Sequence, residues 1–275
     1  MAKSAPSAHP LETLCELTTA LEAAVLETLA KPGKKAVHHL RTTTRRIEAQ
    51  LELLAILPEV QLQPRPRDKA LSLLKDLRHA AGQVRDLDVQ RDLIAGQAAP
   101  KNASPDLLKE VRELRHTLKT KRNDEADNLL NLLQKRRSKL PLVFKDLLDS
   151  LKSAESHPLT EPRLISLVHD WYTRHCGHNP TATPPEDPAR LHDIRKTAKL
   201  ARYLAESAPK AATKAHRLAT RYGDLQQAGG QWHDWLLLAQ VASDELGKSS
   251  KLAKRFNSRA DRSLRTYKRL LKRRI

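Results

Sequence analysis

Apolar residues recur along most of the chain at intervals of three and four, with Pro and Gly interrupting the pattern, so the sequence predicts a run of amphipathic helices. The first half reads as helices near residues 11–30, 35–57, 67–95, 105–138 and 141–154. After His157 and Pro158 come helices near 161–176, 189–206, 209–228, 231–247 and 250–274. Pro180, Pro184, Pro185 and Pro188 break the chain between the first two of these, and Gly229 and Gly230 fall between the third and fourth. Leu, Ala, Lys, Arg and Glu dominate and aromatic residues are 3% of the chain, which favours helix over strand because straight side chains lose little rotamer freedom in a helix. The expected class is all-α.

The second half repeats the plan of the first, and also some of its letters. Val37-His38-His39-Leu40-Arg41 aligns with Leu191-His192-Asp193-Ile194-Arg195, an offset of 154 residues. Asp76-Leu77 through Gly82-Gln83 to Asp86 aligns without a gap with Asp224-Leu225 through Gly230-Gln231 to Asp234, an offset of 148. A loop shorter by six residues in the second half accounts for the difference. The expected organisation is a flexible N-terminus over 1–10, a first helical bundle over 11–157 and a second over 158–275, related by an internal repeat.

The charge balance bears on partners rather than on fold. The 275 residues hold 50 Lys and Arg against 32 Asp and Glu, a formal charge of +18, so an acidic ligand is expected. The two cysteines, Cys15 and Cys176, are too few for a disulfide framework, and no apolar run reaches the roughly 20 residues that span a bilayer. With no apolar signal segment between Met1 and Pro10, a cytoplasmic protein without a membrane partner is expected.

On helical wheels the cations form rows. In the last helix Lys251, Lys254, Arg255, Arg259, Arg262, Arg265, Arg269, Lys272 and Arg273 share an arc of roughly 140°, opposite Leu252, Phe256, Ala260, Leu264 and Tyr267. Lys210, Lys214, Arg217 and Arg221 share about 60° of another helix, opposite Ala211, Ala215, Ala219 and Tyr222. The two anchor helices do the same: His38, Arg41 and Arg45 oppose Leu40, Ile47 and Leu51, while His192, Arg195, Lys199 and Arg202 oppose Ile194, Ala198 and Ala201. Lys75, Arg78 and Arg85 make a further row, and Arg112, His116 and Lys119 a looser one. A merely solvated face mixes signs. Like charges one turn apart repel by a few tenths of a kcal/mol each, so rows of one sign on several helices cost stability unless a counter-charge binds.

These residues resemble the CHAD domain family. Its signature is a helix beginning Val-His-x-x-Arg with basic residues seven, eight and ten positions after the His, followed by a helix bearing Leu, Gly and Asp, all twice. Here the first copy has His38, Arg41, Arg45 and Arg46, then Leu77, Gly82 and Arg85-Asp86-Leu87-Asp88-Val89; the second has His192, Arg195, Lys199, Arg202, Leu225, Gly230 and Asp234. Glu48 and Leu200 stand where the pattern carries basic residues, and His233 replaces the Arg before Asp234. The resemblance spans roughly residues 11–275. It implies two helical bundles related by a pseudo-twofold, with basic helices lining a central channel or groove that binds inorganic polyphosphate, no catalytic activity, no cofactor, and localisation to polyphosphate granules. Some members are fused to a triphosphate tunnel domain, whose Glu-x-Glu-x-Lys opening is not found here.

Polyphosphate carries a charge on every unit and no bases, so its binder needs repeated cations without stacking platforms, as this composition offers. Arg holds phosphate oxygens in a planar fork and Lys supplies a point charge. His38 and His192 are expected either to donate to phosphate or to pack between helices against a carboxylate. Asp86, Asp88 and Asp234 are read as orienting Arg rather than as metal ligands, and Gly82 and Gly230 as points of close helix approach. Nucleic acid is the alternative ligand, favoured by the charge and disfavoured by the lack of a recognisable motif and of stacking side chains. A His-Asp metallohydrolase built on His169-Asp170, His192-Asp193 or His233-Asp234 lacks a convergent ligand set in sequence, as do His175, Cys176 and His178. A membrane-surface role for the basic C-terminal helix ranks last, since its apolar face lacks Trp and is needed for packing. Trp171, Trp232 and Trp235 read as packing residues, with one of the last two a candidate for the channel edge.

Overall fold

The structure is a computed structural model that describes residues 7–96, 104–151, 158–177 and 184–272. The described residues form helices α1 (Pro10–Ala30), α2 (Lys34–Ala55), α3 (Pro64–Gly96), α4 (Pro105–Arg136), α5 (Lys139–Asp149), α6 (Glu161–Cys176), α7 (Pro188–Ala205), α8 (Thr213–Leu246) and α9 (Lys251–Leu271). The only strands among them are β1 (Ser7–Ala8) and β2 (Leu159–Thr160), antiparallel, with Ser7 opposite Thr160. The all-α expectation holds. Within the segment expected to be a free end, the described residues already include β1 and the start of α1 at Pro10. Arg273 and His178 lie outside the described residues.

One element differs from the sequence reading. The helices expected at 209–228 and 231–247 are a single helix, α8, that starts at Thr213 and runs through both glycines. Gly229 is there for clearance rather than termination: a Cβ on it would lie 2.8 Å from Tyr267 Cζ on α9 and 3.0 Å from Arg195 Cγ on α7. A mid-helix Gly costs about 1 kcal/mol against Ala, which the packing of a long buried helix readily offsets.

Helices α1 to α4 pack each on the next, and α6 to α9 do the same; α5 lies against α3 and α1. The halves join where α2 meets α7 and α3 meets α8, and α4 reaches α8 and α9. A large core runs through both halves, from Leu14, Leu40 and Leu77 to Ile194, Tyr222 and Tyr267. A smaller one unites Ile94, Leu114 and Leu118 with Trp235, Leu238 and Phe256. The boundary at residue 157 therefore divides the sequence and not the core.

Acidic and hydroxyl side chains fix the helix starts by accepting from the free N–H groups of the first turn. Ser104 accepts from Leu107, Asp187 from Ala189 and Ser250 from Ala253. Two caps come from other helices: Glu161 accepts from the amides of Lys214 and Ala215 at 2.7 and 2.9 Å, and Glu110 from Leu252 at 2.9 Å. Glu110 thus ties α9 to α4, across the halves. No described helix is long and apolar enough to cross a membrane.

Candidate functional site

The face of α2 that carries His38, Arg41, Thr42, Arg45 and Arg46 follows from periodicity: Val37, Leu40, Thr44, Ile47 and Leu51 are buried on the other side and pin the cations to the face turned towards α7. On α7, buried Leu191, Ile194, Ala198 and Ala201 do the same for His192, Arg195, Lys199 and Arg202. Where α2, α3, α7 and α8 come together the two apolar cores give way to charge, and two hollows open.

The first, about 300 Å³, is lined by Arg41, Arg45, Lys75, Arg78, His79 and Asp86 from α2 and α3, and by His192, Arg195, Lys196, Lys199 and His233 from α7 and α8, with Gly82 and Gln83. The second, about 450 Å³, is lined by His38, Arg46, Arg85, Arg202 and Asp234 with Thr42, Val89, Tyr203, Glu206, Gln226 and Gly230. Both also share Arg41, Arg45, Asp86, Arg195 and Lys199. Together they hold ten Lys and Arg against three carboxylates. His38 lines the second hollow and His192 the first, so the two signature histidines line different hollows beside the shared cations.

Lys199 is the centre of this cluster. Burial, and then Arg41, Arg45, Arg195 and Arg202, push its amine from 10.5 down to about 7. Burial leads again in holding the Arg41 and Arg195 guanidinium groups below their ordinary value, and Asp86 opposes the shift in both. Asp234 is the mirror case: burial raises its carboxyl to about 6, although Arg195, Arg85 and Lys199 pull the other way. The carboxylates Asp86 and Asp234 therefore act electrostatically on guanidinium groups. Asp88 does so too, but away from the hollows, against Arg122 at 3.2 Å.

Three of the histidines, His38, His192 and His233, are held below the ordinary imidazole value. Burial, then Arg85 and Lys199, lower His38; burial, then Arg195, lower His192; and burial with Arg195 takes His233 down to about 4. The His192 and His233 rings lie 4.5 Å apart, and His192 Nδ1 is 3.4 Å from an Arg195 Nη2 donor. Neither signature histidine is held by a carboxylate among the described residues, so the helix-packing expectation fails in that form. Gly82 is a point of close approach, since a Cβ there would sit 3.0 Å from Arg41 Nη1; Gly230 has open space, and its neighbour Gly229 carries that role in the second half.

Eleven of the expected binding residues meet here: His38, Arg41, Arg45, Arg46, Lys75, Arg78, Arg85, His192, Arg195, Lys199 and Arg202. Seven line neither hollow. Lys210 stands in the turn before α8 and Lys214, Arg217 and Arg221 on its exposed face, because Ala215, Ala219 and Tyr222 turn inward. Arg255, Arg262 and Arg269 lie along α9, opposite buried Leu252, Phe256, Ala260 and Tyr267. The structure adds His79 and Lys196, whose spacing of four from Lys75 and His192 places them on faces already recognised, and His233, which stands where the family pattern carries the Arg before Asp234. Trp232 instead stacks on Tyr267 and Trp235 packs at a tilt against Phe256 in the cores, and neither edges a hollow. Among the described residues no three His, Cys, Asp or Glu side chains converge on a metal position. His175 packs on Trp171, and Cys176 is buried.

No curated protein sequence matches the chain. Among the solved structures that share its fold are two that cover 98% of the chain. The crystal structure of the CHAD domain from the plant Ricinus communis superposes with a TM-score of 0.64 at 18% identity, covering 98% of this chain and 94% of that one. PptA from Streptomyces chartreusis superposes with a TM-score of 0.66 at 15% identity, covering 98% of this chain and all of the other. The CHAD domain family matches residues 12–243, a span that contains both signature helices and every residue of the two hollows, and the chain belongs to that family.

Proposed function

We propose that this protein binds inorganic polyphosphate, without turning it over, in a groove formed by the two hollows. The observation that carries the reading is the set of cations the hollows share. Arg41, Arg45, Arg195 and Lys199 are contributed by two helices from the two halves, and burial together with this crowding depresses Lys199 to about 7. Such crowding is unfavourable until an anion lies among the cations, and a chain with a charge on every unit neutralises several at once. The hollows then become the two mouths of one channel, with His192 at one and His38 at the other, and the pairing of Arg41 with Arg195 and of Arg45 with Lys199 is that of a pseudo-twofold. Family membership supports the ligand. Granule localisation follows if that ligand is met in its stored form.

The lining also speaks against base recognition. Tyr203 is the one aromatic ring other than imidazole in either hollow, and it is buried. Single-stranded nucleic acid, the second reading, draws on stacking platforms as well as charge. Replacing Arg41, Arg45, Arg195 and Lys199 with Glu tests the assignment: polyphosphate binding is abolished while helicity by circular dichroism is retained. Undiminished affinity in a folded variant would place the ligand elsewhere.

A further inference from the structure

A third hollow, of about 610 Å³, opens between α3, α4 and the first turn of α2, and shares no residue with the two described above. Helix α3 is the wall between them: Arg85, Asp86 and Val89 face the central site, and Asp88, Arg91 and Asp92 face this one. Its volume falls within the roughly 300–1,000 Å³ of ligand pockets.

Five cations line it, Lys34, Arg91, Arg115, Lys119 and Arg122, against the carboxylates Asp88 and Asp92. Both carboxylates are paired, Asp88 through Oδ1 alone, its buried Oδ2 having no hydrogen-bond partner among the described residues. Asp92 pairs with Lys34, and Asp88 holds Arg122 at 3.2 Å and Arg91 at 3.9 Å. The Arg122 side chain, 12% exposed, also donates to the Pro32 carbonyl, so its guanidinium is fixed before anything binds and loses little freedom on binding. Arg115 and Lys119 sit one turn apart on α4, both exposed, and among the described residues neither has an acidic partner within 4 Å. Of the nine lining residues only Ala95 is apolar and none is aromatic, so nothing here would receive an acyl chain.

We propose that this hollow is a second anion site, for a compact multivalent phosphate with no apolar part. Three guanidinium forks and two ammonium groups suit several phosphate groups held close together. That chemistry is shared by a short inorganic oligophosphate and by a fully phosphorylated polyol, and the probes below separate them. The site stands whether or not the central groove binds polyphosphate.

Calorimetric titration of the full chain with inorganic tripolyphosphate, and separately with inositol hexakisphosphate, tests the proposal. The variants are Arg115→Glu with Lys119→Glu, and Arg46→Glu with Lys75→Glu at the rims of the central hollows. All four positions are exposed, so thermal melts should match the unaltered protein. The first variant should weaken one binding event for the preferred probe at least about tenfold, as expected when two phosphate-facing cations are reversed, and the second should leave that event in place. The tighter probe names the source. An isotherm unchanged by the first variant, or a single event abolished by the second variant alone, overturns the second site; the latter result would leave the central groove standing by itself.

Discussion

Glu48 on α2 is ion-paired with Arg78 on α3, beside the first central hollow, and its other carboxylate oxygen lies 3.2 Å from Arg45 Nη1. Glu48 is 12% exposed at the side chain, and it stands where the family pattern carries a cation. In this protein two groove arginines thus have an internal counter-ion that a phosphate chain must displace. Glu48→Gln should tighten polyphosphate binding by about threefold to tenfold, the worth of one charge-assisted contact. The unliganded protein should lose about 1–3 kcal/mol, because the two guanidinium groups keep their burial and lose an acceptor. Titration and denaturant melts read the two effects, and weaker binding would mean that Glu48 positions the arginines rather than competes for them.

Binding should depend on pH with a definite sign. Lys199 is held at about 7 in the free protein, and a polyanion beside it returns the amine towards 10.5, so binding takes up a proton in that window. Affinity should therefore fall as pH rises from about 7 to 9, by at most about tenfold per pH unit for one coupled group. Below pH 7 the lowered His38 and His192 add to the uptake, and Asp234 loses its charge below about 6, both strengthening binding. Lys199→Gln should flatten the upper part of the profile. An unaltered slope in that variant would assign the proton to another group.

The same lysine affects the stability of the free chain. Its folded value lies below its ordinary one, so the unfolded chain binds more protons between about 7 and 10.5, and stability rises with pH across that range. The charged amine destabilises most below pH 7, where Lys199→Met should raise the melting temperature; near pH 10.5 the gain should shrink. A lower melting temperature at pH 6 would show that the amine is a net stabiliser.

Adjacent glycines on α8 should respond in opposite ways to alanine. At Gly229 the new Cβ would meet Tyr267 at 2.8 Å and Arg195 at 3.0 Å, and overpacking of this kind costs about 1–3 kcal/mol. At Gly230 nothing lies within 4 Å, and removing a mid-helix Gly should gain up to about 1 kcal/mol. Chemical denaturation of the two variants checks the order; equal effects would mean that Tyr267 yields freely.

The rows that the groove does not gather are expected to act at a distance. Reversing Arg217 and Arg221 to Glu should slow association and reduce its salt dependence while changing the affinity for a short polyphosphate by no more than about threefold. Stopped-flow and equilibrium titrations separate these, and a loss as large as that from Arg195→Glu would put the exposed face of α8 in contact with ligand.

Most of the fold is legible because helix periodicity is local: the burial of Val37, Leu40, Ile47 and Leu51 on one side of α2 dictates where Arg41 and Arg45 point. The same logic brought the α2, α3 and α7 rows to the site. It failed where a residue answers to a neighbour distant in sequence. Gly229 looks like a helix stop until Tyr267 and Arg195 are beside it, and the strand pair Ser7–Ala8 with Leu159–Thr160 joins segments with no shared pattern. A wheel also cannot tell a cation row that faces another cation row from one that faces water. Arg195 and Arg217 look alike in sequence, and only the crossing of α2 with α7 separates them.

The most direct test is a competition titration of the full chain between long-chain polyphosphate and single-stranded DNA at two salt concentrations, repeated with Arg195→Glu and Lys199→Glu combined. The groove predicts that polyphosphate wins by at least about tenfold, that affinity falls steeply with salt, and that the preference vanishes in the variant. Equal competition by the two ligands in the unaltered protein, with the variant binding as before, would contradict it.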